Sequence, residues 1–204
     1  MNIAVLASGN GTNLQALIDA EKRGELSGGK ITLVAGDKPK AFALERAKKA
    51  GIRTFVLEAE PGQSREEYDS KLLAGLKESK TELVVLAGFM RILGDRFVDE
   101  YEGRILNIHP ALLPSFAGAH GIKDALEHGV KVTGVTVHFV NKELDAGPVI
   151  LQEKVSIGED DTLESLEEKI HKVEHRLYPE AVRLFVEGKL KIEGRKVRIL
   201  DTGC

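Results

Sequence analysis

What the chain lacks narrows it first. Its single cysteine is Cys204, the last of 204 residues, so no internal disulfide can form. That suits a reducing compartment, and a cytoplasmic protein is the expectation. No charge of one sign dominates: 29 Lys and Arg stand against 32 Asp and Glu, for a net charge of -3. This balance argues against a broad nucleic-acid or anionic-membrane surface but leaves room for a local anion pocket. No apolar run approaches the ~20 residues of a membrane-crossing helix. Met1-Asn2-Ile3-Ala4-Val5-Leu6 opens without the basic region and long apolar stretch of a secretory leader. No repeat, low-complexity tract or linker rich in Pro, Gly or Ser divides the chain. One domain over residues 1–204 is expected.

What is present alternates. Ile3 to Leu6 reads as a short buried strand, because every residue in it is apolar. It runs into Ala7-Ser8-Gly9-Asn10-Gly11-Thr12-Asn13, then a helix with Leu14, Leu17 and Ile18 on one face. Strand, glycine-rich turn and helix aim free backbone N–H groups at an anion. The same letters also fit a tight turn capped at Thr12 or Asn13. The first-strand position in an α/β chain favours phosphate. Leu14 stands where a dinucleotide fingerprint has its third glycine, and no Gly-Lys-Ser/Thr closes a P-loop. A single phosphate monoester is therefore the expected ligand of this turn.

The alternation predicts strands at Ile31–Ala35 and Thr54–Leu57 and a helix at Ala41–Ala50 closed by Gly51. Ser64-Arg65-Glu66-Glu67 is a capping-box start for a helix carrying Tyr68, Leu72 and Leu76. Leu83 to Leu86 is an unbroken apolar run, expected as a central strand. The fold class read from this is α/β. It is a Rossmann-like, open, mostly parallel sheet flanked by helices, with extra strands and a long helix in the C-terminal part. Ala87-Gly88-Phe89-Met90-Arg91-Ile92-Leu93-Gly94 lies just past a strand's C-terminal end, where such sheets bind ligands. An apolar slot for an aromatic ring and a plain strand-to-helix connection both fit it.

In Arg104-Ile-Leu-Asn-Ile-His-Pro-Ala-Leu-Leu-Pro-Ser-Phe116, Asn107 and His109 flank Ile108 and in a strand share one face. Pro110 stops the pairing and Pro114 keeps the next loop extended. Held at a strand end, an amide and an imidazole suit chemistry, although two satisfied polar side chains explain the letters as well. Val135, Val137 and Phe139 alternate with Thr136 and His138. A half-buried, hydrogen-bonded His138 is the plainer expectation there. Asp145 follows that strand and precedes Ala-Gly-Pro, which restricts its direction. Asp161 or Thr162 is expected to cap a long amphipathic helix interrupted or kinked at Pro179. Leu190 to Ile199 is expected to form a hairpin around Gly194.

Four stretches, Ser8-Gly-Asn-Gly-Thr-Asn13, Leu86-Ala-Gly-Phe-Met-Arg-Ile-Leu93, Asn107-Ile-His-Pro-Ala-Leu-Leu-Pro114 and Glu143-Leu-Asp-Ala-Gly-Pro148, together resemble the phosphoribosylglycinamide formyltransferases. This is a folate-dependent family of purine synthesis that uses 10-formyltetrahydrofolate. The resemblance runs from Met1 to about Val197. It implies a catalytic trio of Asn107, His109 and Asp145. It implies that Gly11, Thr12 and Asn13 hold the phosphate of glycinamide ribonucleotide, that Asn10 belongs to the same substrate site and that Glu174 holds the ribose hydroxyls. His171 stands where the family often has glutamine. Folate contacts are implied for Arg65, Met90, Arg91, Ile92, Leu93, Asn107, Asn141, Lys142, Glu143, Leu144 and Asp145. Residues 1–100 would then be a phosphate-binding half and 101–204 a catalytic and folate-binding half. The stretch from Gly118 to Leu126 varies in the family, so His120 has no assigned role.

By this resemblance the ribonucleotide amine attacks the formyl carbon, and Asn107 with a protonated His109 stabilises the oxygen that becomes negative. Asp145 would favour the imidazolium and orient a water that moves protons. No metal is expected, since the six histidines show no ligand spacing. The expected partners are the two small molecules, with neither nucleic acid nor membrane, and the expected state is a monomer or homodimer. The main alternative is hydrolysis of 10-formyltetrahydrofolate, which shares these residues but is expected with an additional N-terminal regulatory domain. Formyl transfer to methionyl-tRNA would favour a basic C-terminal extension. A non-catalytic nucleotide-binding module would leave the trio unrelated.

Overall fold

The computed structural model describes residues 1–200. Cys204, on which the disulfide argument turns, lies outside the described residues. From the N-terminus the elements are β1 (Asn2–Leu6), α1 (Thr12–Lys22), β2 (Lys30–Gly36), α2 (Phe42–Lys49) and β3 (Arg53–Val56). Then come α3 (Arg65–Glu78), β4 (Leu83–Leu86), α4 (Asp95–Glu100), β5 (Ile105–His109) and α5 (Gly121–Glu127). The chain continues with β6 (Val132–Phe139), β7 (Val149–Ser156), α6 (Leu163–Val186), β8 (Leu190–Glu193) and β9 (Lys196–Ile199). The strands form one sheet in the order β3-β2-β1-β4-β5-β6-β7-β9-β8.

From β3 to β5 every pairing is parallel, while β6 runs antiparallel to β5, and β7 to β6. The parallel part has helices on both faces, which is why β4 and residues 3–6 of β1 at its centre are apolar throughout rather than alternating. Ile3 and Val5 of β1 meet a core that includes Leu14, Leu17, Leu44 and Tyr178. Ala4 and Leu6, on the other face, meet Tyr68, Leu72 and Phe97. The order turns back on itself at β1, with β2 on one side and β4 on the other. The loops leaving these strand ends diverge there and open a crevice.

Several expected local signals take their predicted form. Ser64 accepts from the Glu67 N–H while the Glu67 side chain accepts from the Ser64 N–H, closing the capping box of α3. Thr162, rather than Asp161, is the N-cap of α6, paired reciprocally with Ser165. Of the two forms expected at Pro179, interruption is corrected: α6 runs 24 residues through it. A proline inside a helix costs about 3 kcal/mol. Around it Leu177, Tyr178, Ala181, Val182 and Leu184 are all buried, and each large apolar side chain among them contributes roughly 1.5–3 kcal/mol. Burial of the helix face outweighs the lost hydrogen bond. The Tyr178 hydroxyl bridges the Leu86 and Leu106 carbonyl oxygens, at 2.7 and 3.0 Å, where β4 ends and one residue before Asn107 of β5.

Candidate active site

The crevice is a cavity of about 560 Å³. Its first end is made by backbone. Gly11 is the N-cap of α1, at φ 75° and ψ 35°, with no side-chain cap from Thr12 or Asn13. That left-handed conformation suits glycine. A Cβ at Gly11 would also come within 2.7 Å of the Ala43 Cβ, whereas one at Gly9 would meet nothing within 4 Å. Only the second glycine of the turn is forced. The loop is then fixed from outside by Arg46 of α2, whose Nε donates to the Asn10 carbonyl at 2.9 Å and whose Nη2 donates to Asn10 Oδ1 at 2.8 Å. Nothing in the sequence marks Arg46, because only the packing of α2 brings it to the loop.

Asn13 joins this end to α6. Its Nδ2 donates to Glu174 Oε2 at 3.0 Å, while its Oδ1 is buried without a partner among the described residues. Burial pushes the Glu174 carboxyl above its ordinary value, against the pull of the Asn13 hydrogen bond and of His171. His171 Nε2 lies 4.0 Å from Glu174 Oε2.

The other end is made by side chains. Asn107 and His109 point the same way from β5, and the antiparallel register sets His138 opposite Asn107 and Thr136 opposite His109. His109 is buried; its Nε2 lies 2.8 Å from the Phe116 carbonyl oxygen and its Nδ1 3.6 Å from Asp145 Oδ2. Asp145 adopts φ 51° and accepts from the Gly118 N–H at 2.8 Å through the same Oδ2. The loop of residues 116–118 thus grips both His109 and Asp145 by main-chain atoms. Gly121 permits this approach, since a Cβ there would stand 3.2 Å from His109 Nε2 and 3.0 Å from the Phe116 oxygen. His138 is buried and hydrogen-bonded, as the plainer reading expects, yet it also lines the cavity beside Asn107.

Between the two ends lie the loops at 88–94 and 140–145. Met90, Ile92 and Leu144 form an exposed apolar rim, each more than half open to solvent. Ser8 Oγ accepts from the Met90 N–H at 2.9 Å, tying the anion loop to this wall. Behind it, Asp69 accepts from the Gly94 N–H at 2.6 Å, and the Arg91 guanidinium lies 4.1 Å above the Tyr68 ring. Lys142, in the facing loop, pairs with Asp99 at 2.8 Å.

Asn10 to Asn13, Met90 to Leu93, Asn107, His109, Asn141 to Asp145 and Glu174 all line this one cavity. Arg65 does not; it opens α3 and packs beside Gly94. His120 stands outside the lining as well. Among the described residues no group of three or more His, Cys, Asp or Glu gathers as a metal cluster. No helix among them is long and apolar enough to cross a membrane.

The glycine turn at the topological switch point thus faces an amide, an imidazole and a carboxylate across one cavity. Residues 1–182 match the family model described as formyl transferase, and the chain belongs to that family. Within it the chain belongs with the phosphoribosylglycinamide formyltransferases. It is 48% identical over 192 residues to phosphoribosylglycinamide formyltransferase of Escherichia coli (strain K12), which covers 94% of this chain and 90% of that protein. It is also 48% identical over 192 residues to the trifunctional purine biosynthetic protein adenosine-3 of Gallus gallus, but spans 19% of that longer protein. The crystal structure of glycinamide ribonucleotide transformylase 1 from Symbiobacterium toebii aligns with a TM-score of 0.96 at 48% identity, over 98% of this chain and 94% of that one.

Proposed function

We propose that this protein transfers the formyl group of 10-formyltetrahydrofolate to the amine of glycinamide ribonucleotide, a step of purine synthesis. The observation that carries the reading is that one cavity holds both a backbone anion cradle and the Asn107, His109 and Asp145 side chains. The phosphate sits on the N–H groups of residues 11–13, where the start of α1 favours negative charge. Asn10 orients that loop, and Glu174 accepts from the ribose hydroxyls. The folate ring enters the slot between Met90–Leu93 and Asn141–Asp145, and Arg65 reaches toward its acidic tail from outside.

The amine attacks the formyl carbon directly. As the new C–N bond forms, negative charge grows on the formyl oxygen, and the Asn107 amide with the His109 imidazolium stabilises it. Collapse breaks the bond to N10. The proton lost by the amine passes through a water held by Asp145 to N10. This reaction needs no enzyme nucleophile and no metal. Residues 1–100 serve mainly the phosphate and 101–204 mainly the formyl transfer, in a cytoplasmic enzyme of small molecules.

The test is to mix the purified protein with both compounds and follow tetrahydrofolate and the formylated ribonucleotide together. Stoichiometric appearance of both is expected. Formate released without any need for the ribonucleotide would replace transfer with hydrolysis, and no consumption of folate would overturn both.

A further inference from the structure

His138 is buried at the centre of the site, and the trio leaves it without a task. Its Nδ1 lies 2.8 Å from the Phe139 carbonyl oxygen. A carbonyl can only accept, so Nδ1 carries the hydrogen. A neutral imidazole has one N–H, which leaves Nε2 bare and able only to accept. Nε2 lies 3.1 Å from Asn107 Nδ2, so the amide nitrogen is the donor. Turning the Asn107 amide over would set its oxygen against the bare Nε2, acceptor facing acceptor. The ring therefore decides the orientation of the amide. One Asn107 N–H is held by His138 and the second remains for the cavity.

The surroundings keep the ring neutral. His138 is 2% exposed, and burial holds its pKa below the ordinary histidine value, with the neighbouring His109 pulling the same way. The Phe139 carbonyl and Asp145, whose Oδ1 is 3.9 Å from Nε2, pull in the opposite direction and do not prevail. A protonated His138 would donate from both nitrogens and would oblige Asn107 to turn its oxygen inward.

We infer that His138 is a positioning residue: fixed as the Nδ1–H tautomer by the Phe139 carbonyl, it accepts from Asn107 and aims the free amide N–H at the oxygen that becomes negative. The aim toward that oxygen rests on the proposed formyl transfer; the tautomer and the amide orientation do not.

Two independent readouts test it on the full chain. In nitrogen-labelled protein at neutral pH, His138 should show a protonated Nδ1 and a bare Nε2, with a coupling across the hydrogen bond to the Asn107 side-chain nitrogen. An Nε2–H tautomer, or an imidazolium, would overturn the inference. In turnover, His138→Phe keeps a ring but removes the acceptor, and kcat should fall roughly tenfold, the weight of one lost hydrogen bond. The affinities of both ligands should stay unchanged. His138→Gln, whose amide oxygen can accept, should recover part of the loss and guards against a misfolded Phe variant. Full turnover in a folded His138→Phe protein would also overturn it. Wild-type protein inert towards both substrates, yet showing the coupling, would remove the formyl-transfer reading and leave the amide orientation standing.

Discussion

The two ends of the cavity are built by opposite means. Under the proposed function the working groups at the anion end are main-chain N–H groups, and side chains such as Arg46 hold the loop in place. At the proposed formyl end the working groups would be side chains, and main-chain atoms hold them: the Phe116 carbonyl for His109, the Gly118 N–H for Asp145 and the Phe139 carbonyl for His138. A backbone-built site is vulnerable where its geometry is special and indifferent to most side chains around it. A side-chain-built site is vulnerable to the loss of one functional group even when the fold is untouched. The difference predicts which substitutions damage binding and which damage turnover.

The largest effect belongs to the formyl end. His109→Ala should remove most turnover while both ligands still bind, because the lost group acts on charge that exists only in the transition state. A barrier increase of about 2.7–4 kcal/mol is expected, read as a fall in kcat with unchanged ligand affinities. Near-normal turnover would mean that this end is not the reacting one. At the anion end, Gly11→Ala should do the reverse, weakening ribonucleotide binding and leaving folate binding nearly intact. Its Cβ would collide with Ala43 and occupy a left-handed backbone, which costs about 1–2 kcal/mol for an L side chain. Gly9→Ala, with no protein atom within 4 Å of its Cβ, should leave the backbone of the turn unchanged. Titrating each ligand separately into both variants decides the matter, and equal weakening of both ligands by Gly11→Ala would point to general unfolding.

The smallest effect sharpens the comparison at the one place where a side chain serves the anion end. Burial raises the Glu174 pKa above its unfolded value. Between those two values the folded chain binds more protons than the unfolded one, so stability falls as pH rises through that interval and levels off above it. Glu174→Gln should erase this slope and raise stability near neutrality by about 1 kcal/mol, the usual gain from relieving a strained functional site. It should also weaken the ribonucleotide, since an amide holds two hydroxyls less well than a carboxylate. Melting temperatures across the carboxylate range, taken with ligand titrations, would show both. An unchanged pH slope would place the source of that slope elsewhere.

The same division explains what could be read from the letters. Ile3–Leu6, the Ser64–Glu67 capping box and the shared face of Asn107 and His109 rest on neighbours in sequence, so their form was legible before any packing. The glycine turn into α1 was legible for the same reason. His138 was legible as a buried ring but not as the partner of Asn107, because that depends on the β5–β6 register across 31 residues. Arg46 and Asp69 brace loops from other helices and carry no local signature at all. Pro179 misled in the opposite sense: a strong local breaker was overruled by the buried face around it.

Tyr178 gives α6 a further part. Glu174 and Tyr178 stand about one turn apart on the same side of that helix, about 6 Å along its axis. The carboxylate meets the anion loop through Asn13, while the phenol shares its single proton between the carbonyls of Leu86 and Leu106. The residues that follow those carbonyls are Ala87, entering the loop at 88–94, and Asn107 itself. The helix is thus a two-pronged brace of fixed length across the mouth of the sheet. A displacement of α6 along its axis would therefore move the Asn13 contact and both carbonyl contacts together.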